Sequence, residues 1–230
     1  MTATRSHRWL LVLLAVVGLT ADQSTKYGMF RWLYNDRQAT AGGKFESWAE
    51  VKSWYPTEVD DAHRFLAGGR YDVIPGWFGF IAEFTAKPDR KPWPHRAEVL
   101  QTWSAPEMPH VNEGALFGMG GSTGMGNTIF AFVSLIAAVG IVVWAALRGR
   151  KADRWMSAAL GLILGGTVGN CYDRLVFAGV RDFLYFYKIN WPVFNVADCC
   201  LVCGAIILLG HAFLVKAPKD EPPMAAASAA

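Results

Sequence analysis

The chain has 230 residues, 53% of them apolar and only 18% charged, with a formal net charge of +3. That apolar share is high for a soluble domain, so the composition argues for a membrane protein of one domain or two. No repeat and no nucleic-acid motif accompanies the small positive charge, so a nucleic-acid partner is not expected.

No charged residue occurs between Arg8 and Asp22, between Glu113 and Arg148, between Arg154 and Asp173, or between Asp198 and Lys216. Four membrane spans are therefore predicted. The first and last runs fall short of the roughly 20 residues a helix needs to cross, so Asp22 and Asp198 must lie within helices or at their ends. Arg5 and Arg8 precede the first span, Arg148, Arg150, Lys151 and Arg154 join the second to the third, and Lys216 and Lys219 follow the fourth. Lys and Arg mark the cytoplasmic side, so both termini are expected there. Trp9, Trp144 and Trp155 then fall near the inner interface and Trp191 near the outer one.

In chain order, Trp9 to Ala21 follows a basic start, and a cleavable secretory signal is an open alternative to a permanent span. Against it, Leu19-Thr20-Ala21 is a poor small-x-small cleavage site. Asp22 and Lys26 stand four apart on one helix face, where they can pair. From Tyr27 to Met125 the chain is polar but carries Trp32, Trp48, Trp54, Trp77, Trp93 and Trp103, too many aromatics for disorder. Helices are expected over Ser47–Trp54 and Glu58–Leu66, the second stopped by Gly68-Gly69, and a strand over Trp77–Phe84. Five glycines between Gly118 and Gly126 read as a hinge, since no Gly-Lys-Ser or Gly-Lys-Thr follows to cradle a phosphate. Cys171, Cys199, Cys200 and Cys203 lie in or beside apolar spans and read as small packing residues, so no metal is assigned.

The densest polar stretch runs from Gly165 to Asp198, between two apolar segments, and holds Asp173, Asp182 and Asp198 with Arg174, Arg181, Asn170, Asn190 and Asn195. A carboxylate at bilayer depth costs roughly 2.5 to 3.5 kcal/mol on insertion scales, so such residues are functional candidates. Asn170 and Asp173 are three apart, as are Asn195 and Asp198, which offers each carboxylate an amide neighbour on one helix face. Asp182 lies in the connection, from which the chain can fold it against Asp198. Asp173 is expected to be neutralised by Arg174 or Arg181 and to be structural.

Five blocks carry a resemblance to a known family. They are DQSTK at Asp22–Lys26, NEGALF at Asn112–Phe117, GN-x-x-DR at Gly169–Arg174, V-x-DF at Val180–Phe183 and FN-x-AD at Phe194–Asp198. In this order the chain resembles the lipoprotein signal peptidases, or signal peptidase II, over about the first 30 residues and from Asn112 to roughly His211. The resemblance implies an all-α membrane protein of four transmembrane helices with a small β-containing extracytoplasmic domain between helices 1 and 2. The segments are 1–30 with DQSTK, 31–125 extracytoplasmic, 126–216 with helices 2–4 and the catalytic loop, and 217–230 as a disordered cytoplasmic tail. Asp72–Phe78 resembles the family's entry into its extracytoplasmic sheet. Stretches at about 31–70 and 85–110, the second rich in proline, have no counterpart there and read as padding around a fixed core, or else as a cover over the substrate groove or a site for a partner.

By the same resemblance Asp182 and Asp198 are the catalytic dyad. Asn112, Asn170, Arg174, Asn195, Asp22, Lys26 and Asp173 line or support the pocket. Two close carboxylates share a proton, because each charge raises the other's pKa, and so supply both a base for water and an acid for the leaving amine. The implied substrate is a diacylglyceryl-modified prolipoprotein, cut before its lipidated cysteine without cofactor or metal. Membrane lipids, inhibition by globomycin, a monomeric state and a bacterial cytoplasmic membrane with the site at the outer leaflet belong to the same expectation. The rival readings are a transporter or channel subunit using these carboxylates as an ion path, and an inactive homologue that only binds lipoprotein precursors.

Overall fold

A computed structural model describes residues 6–39, 65–85, 97–105, 109–114, 125–149 and 152–214. In chain order the elements are α1 (Arg8–Ala39), β1 (Phe65–Ile74), β2 (Phe78–Thr85), α2 (Glu98–Ser104), α3 (Met125–Arg148), α4 (Arg154–Phe177), β3 (Leu184–Tyr185), a 3-10 turn (Tyr187–Ile189) and α5 (Val196–Leu214). The expected helix at Ser47–Trp54, Gly118 to Gly124 and the C-terminal tail lie outside the described residues.

The fold is mostly helical with one small sheet. Among the described residues two helices, α3 and α5, are long and apolar enough to cross a membrane. None of the residues of α3 is buried, and Phe132, Ile136 and Val139 are exposed to more than half their area. A helix this apolar that touches α4 along one side and leaves the rest of its surface uncovered is suited to lipid. The helices α1 and α4 are 32 and 24 residues long but carry charge in their middle or final turns. Asp22 and Asp198 lie within helices, as the short apolar runs require.

Expectation and structure part at the sheet. The sequence predicts a helix over Glu58–Leu66 that stops at Gly68-Gly69, whereas β1 begins at Phe65 and continues through both glycines. The ladder between β1 and β2 shifts register between Leu66 and Gly69. Glycine accommodates such a bulge, which a helix-breaking reading overlooks. The expected strand over Trp77–Phe84 is found as β2, entered by a turn with Gly76 at φ +79°. Strand order is β1-β2-β3, all antiparallel, and Gly79 and Phe80 of β2 pair with Tyr185 and Leu184. The sheet packs on the end of α1 through Phe30, Leu33, Tyr34, Ala82, Phe84, Ala105 and Phe183. In this way the segment following Asp182 is fastened to both the sheet and α1.

The helix α4 packs between α1 and α5 on glycine. A Cβ added at Gly165 would stand 2.7 Å from the Ala15 carbonyl oxygen, and one at Gly161 2.6 Å from that of Leu11. Small residues spaced by four let two backbones approach closely, the usual basis of helix association in lipid. Gly140 of α3, by contrast, has nothing within 4 Å of its added Cβ. We therefore expect Gly165→Ala to lower the thermal midpoint in detergent, at a cost of about 1 to 3 kcal/mol for overpacking. Gly140→Ala should leave it unchanged or raise it, by up to about 1 kcal/mol of helix propensity.

Candidate active site

Two groups of polar side chains meet where α1, α4 and α5 converge beneath the sheet. The deeper group is ionic. Asp22, Lys26, Asp173 and Arg181 are all fully buried. Lys26 Nζ lies 2.9 Å from Asp22 Oδ2 and 3.4 Å from Asp173 Oδ2. Arg181 grips Asp173 with one edge of its fork, Nη2 to Oδ1 at 2.8 Å and Nε to Oδ2 at 3.2 Å, while its backbone N–H donates to Oδ2 at 2.9 Å. Its guanidinium stands 3.8 Å from the Phe177 ring centre and 4.3 Å from that of Tyr27. Two carboxylates and two cations leave the group formally neutral, the condition under which buried charge is tolerated.

The structure decides between the two proposed partners of Asp173 in favour of Arg181. Arg174 points elsewhere, 5.4 Å over the Phe130 ring, and donates to the Asn170 carbonyl at 3.4 Å.

The outer group holds Asp182 and Asp198 in a shell of amides. Asn195 Nδ2 donates to Asp182 Oδ1 at 2.6 Å, and Asn112 Nδ2 donates to Asp182 Oδ2 at 3.1 Å. Asn170 Nδ2 donates to Asp198 Oδ1 at 2.8 Å, while its own carbonyl accepts from Lys26 at 3.0 Å and from Asn195 at 3.2 Å. The expected pairing of Asn170 with Asp173 is thus corrected. Three-residue spacing places both on α4, but the amide of Asn170 turns toward α5 while Asp173 turns toward Arg181.

Asn195 precedes α5 instead of sharing a helical face with Asp198. Its Oδ1 accepts from the Asp198 N–H at 3.1 Å, and its own N–H donates to Asp198 Oδ2 at 3.2 Å. This reciprocal arrangement is a capping box, and it locks the first turn of α5. Asp22 adds a further cap across the helices, accepting from the Ala197 N–H at 2.9 Å. A Cβ at Gly169 would stand 2.5 Å from Asp22 Oδ2, so only glycine leaves room for that carboxylate.

Asp182 is fixed by its own backbone neighbours. Helix α4 ends at Phe177, and Ala178 turns the chain in the left-handed region at φ 59°. Val180 and Asn112 then exchange both backbone hydrogen bonds, at 2.8 and 2.9 Å, and Phe183 accepts from Ile81 at 3.0 Å. Asp182 is held between these anchors in the connection between α4 and α5. Burial, with the charge of Asp198 adding to it, pushes its carboxyl up from 3.8 to about 7, against the pull of the Asn112 and Asn195 hydrogen bonds.

Sequence reasoning does not single out Gln23, Gln101 or Ser104. Gln23 Nε2 donates to Asp22 at 2.9 Å and to Asp173 at 3.2 Å, and its carbonyl accepts from Arg181 at 3.0 Å. Its place inside DQSTK is the available signal. Ser104 and Gln101 of α2 have none, because serine and glutamine in a polar segment are ordinary. All four cysteines are free thiols.

A model of the family described as signal peptidase (SPase) II matches residues 98–214. That match begins ahead of Asn112 and includes α2. The lipoprotein signal peptidase of Rhodopirellula baltica is 39% identical over 210 residues, covering 84% of this chain and 78% of its own length. That of Pseudomonas putida is 37% identical over 117 residues, 49% of this chain and 67% of its own. A solved structure described as a bacterial membrane enzyme, determined by the in meso method, covers 96% of this chain and 100% of its own at TM-score 0.54 and 21% identity, a likeness of fold. The chain belongs to the signal peptidase II family, whose members are membrane peptidases, and functions as a lipoprotein signal peptidase. The transporter and channel reading is not favoured.

The raised pKa of Asp182 gives a test independent of activity. Between pH 3.8 and about 7 the folded protein keeps a proton on this carboxyl that the unfolded chain has released, so the group's contribution falls as pH rises through that window. We expect the thermal midpoint of Asp182→Asn to gain steadily on that of the unmutated protein from about pH 4 to about 7. A constant difference across the window would show that Asp182 titrates in its ordinary range.

Proposed function

We propose that Asp182 and Asp198 form the dyad that hydrolyses a diacylglyceryl-modified prolipoprotein just before its lipidated cysteine. The observation that carries this reading is that both carboxylates are hydrogen-bonded by amides, with Asp182 pushed up to about 7 by burial and by the charge of Asp198. One proton is then shared by the pair. The ionised member takes a proton from water as it attacks the scissile carbonyl, and the protonated member delivers one to the leaving amine. Asn112, Asn170 and Asn195 hold the carboxylates, with Arg174 beside the pocket for the substrate backbone. Asp22, Lys26 and Asp173 form the support beneath.

The same proposal gives the chain four membrane spans, α1, α3, α4 and α5, with both termini cytoplasmic and the dyad at the outer leaflet of a bacterial cytoplasmic membrane. The sheet and α2 rest outside, between the first and second spans. The positive residues around Arg8, Arg148–Arg154 and Lys216 support this orientation. The protein acts as a monomer among membrane lipids, and globomycin competes with the substrate.

The decisive test is cleavage of a diacylglyceryl-modified precursor by the purified protein. Asp182→Asn and Asp198→Asn should each abolish turnover, since a positioned acid or base contributes typically about 10²- to 10⁴-fold, while precursor binding persists. Asp173→Asn should reduce folded yield more than turnover, because breaking a buried pair costs about 3 to 5 kcal/mol. Full turnover by Asp182→Asn, with Asp173→Asn folded but inactive, would assign the dyad to the wrong aspartate. Saturating globomycin should stop cleavage, and reporter fusions after Lys151 and near Lys91 should report cytoplasm and exterior respectively.

A further inference from the structure

We propose that Ser104, on the short helix α2, is a positioning residue for this hydrolysis, acting on the dyad through Arg181; the inference rests on the dyad reading above. Helix α2 is built inside out. Its polar Gln101 and Ser104 are buried, at 7% and 0% exposure, while Val99 and Trp103 are exposed at 59% and 65%. A helix docked by the hydrophobic effect turns its apolar side chains inward. This one docks by its polar side chains, so its fit to the protein is specified by hydrogen bonds.

Those hydrogen bonds reach the base of the active site. Gln101 Nε2 donates to the Val176 carbonyl at 2.5 Å, one of the carbonyls left open in the last turn of α4. Ser104 Oγ accepts from Arg181 Nη1 at 3.1 Å. The other edge of the same guanidinium is taken up by Asp173 and Gln23. Ser104 thus supplies the acceptor for the one nitrogen of the fork that these two leave open, and it fixes the rotation of the guanidinium between the Phe177 and Tyr27 rings.

Arg181 directly precedes Asp182, and its backbone N–H is itself bonded to Asp173. Any swing of the side chain pulls on the backbone that presents the dyad carboxyl. Catalytic geometry tolerates little such movement, because a misplacement of about 1 Å from a remote change can cost on the order of 100-fold. Helix α2 is therefore part of the support of the site.

The test measures kcat and KM on a synthetic diacylglyceryl-modified precursor, with full-length protein in detergent micelles, alongside thermal midpoints. Ser104→Ala should lower kcat by about tenfold, the equivalent of one charge-assisted hydrogen bond, with KM unchanged. Ser104→Cys keeps the volume and a weak acceptor, so its kcat should fall between the two. Should Ser104→Ala not fold, the comparison of Ser104→Cys with the unmutated protein decides, a lowered kcat at unchanged KM supporting the proposal. Unaltered kcat in the folded variants, even with a lowered thermal midpoint, would make Ser104 merely structural and overturn the inference. Turnover by the unmutated protein and its loss in Asp182→Asn, run in the same assay, report separately on the dyad.

Discussion

The contact on which the rest depends is the buried fork between Arg181 and Asp173. It joins the end of α4 to the connection that carries Asp182, and through Lys26 and Gln23 it draws in α1. Taking four charged groups out of water is costly, and their mutual attraction offsets that cost only when every donor and acceptor is met. Here the fork, the backbone N–H of Arg181, two aromatic faces and Ser104 meet them. Such a cluster adds little net stability compared with an apolar core of the same volume. Its value is positional, because it tolerates few alternative arrangements of the connection.

Around this base the carboxylates are sorted by their neighbours. Asp22 and Asp173 lie against cations, which fix them in place as ion pairs. Asp182 and Asp198 lie against asparagine amides, which orient a carboxylate without adding a full opposite charge. The proposed dyad must be free to exchange a proton, and Asp182, pushed up to about 7 by burial, has that freedom near neutral pH. The separation into a charged base and an amide shell follows from chain placement. Asn195 caps α5, Asn170 faces α5 from α4, and Asn112 reaches in from the bridge to Val180.

Which residues gather around the candidate site is largely legible in the sequence, whereas which residue holds which is not. Charges inside apolar runs are conspicuous, so Asp22, Lys26, Asp173 and Asp198 stand out by their position along the chain. Spacing then misleads, because three residues apart on a helix admits a pair but does not oblige one. Asn170 leaves Asp173 for Asp198, since the two side chains turn toward different helices. The strand through Gly68-Gly69 is hidden for a related reason: two glycines end a helix or form a bulge with equal ease, and only the partner strand decides. Ser104 gives no signal at all. Its role comes from a docking geometry in which the apolar side of a short helix faces outward.

Close helix packing makes the short side chains of the site sufficient. Aspartate and asparagine carry their polar atoms only two bonds beyond Cβ, yet Asp22 on α1 caps α5, and Asn170 on α4 reaches Asp198 on α5. Such reach is helped where small residues let helix backbones approach closely. Gly161 and Gly165 bring α4 against the backbone of α1, and Gly166 brings it against the Ala197 carbonyl of α5. Leucine at these positions would serve a lipid-facing helix equally well and would hold the three helices too far apart for the hydrogen bonds to form. The glycines, which carry no charge, therefore set the distance at which the proposed dyad, supported by side chains this short, can be assembled.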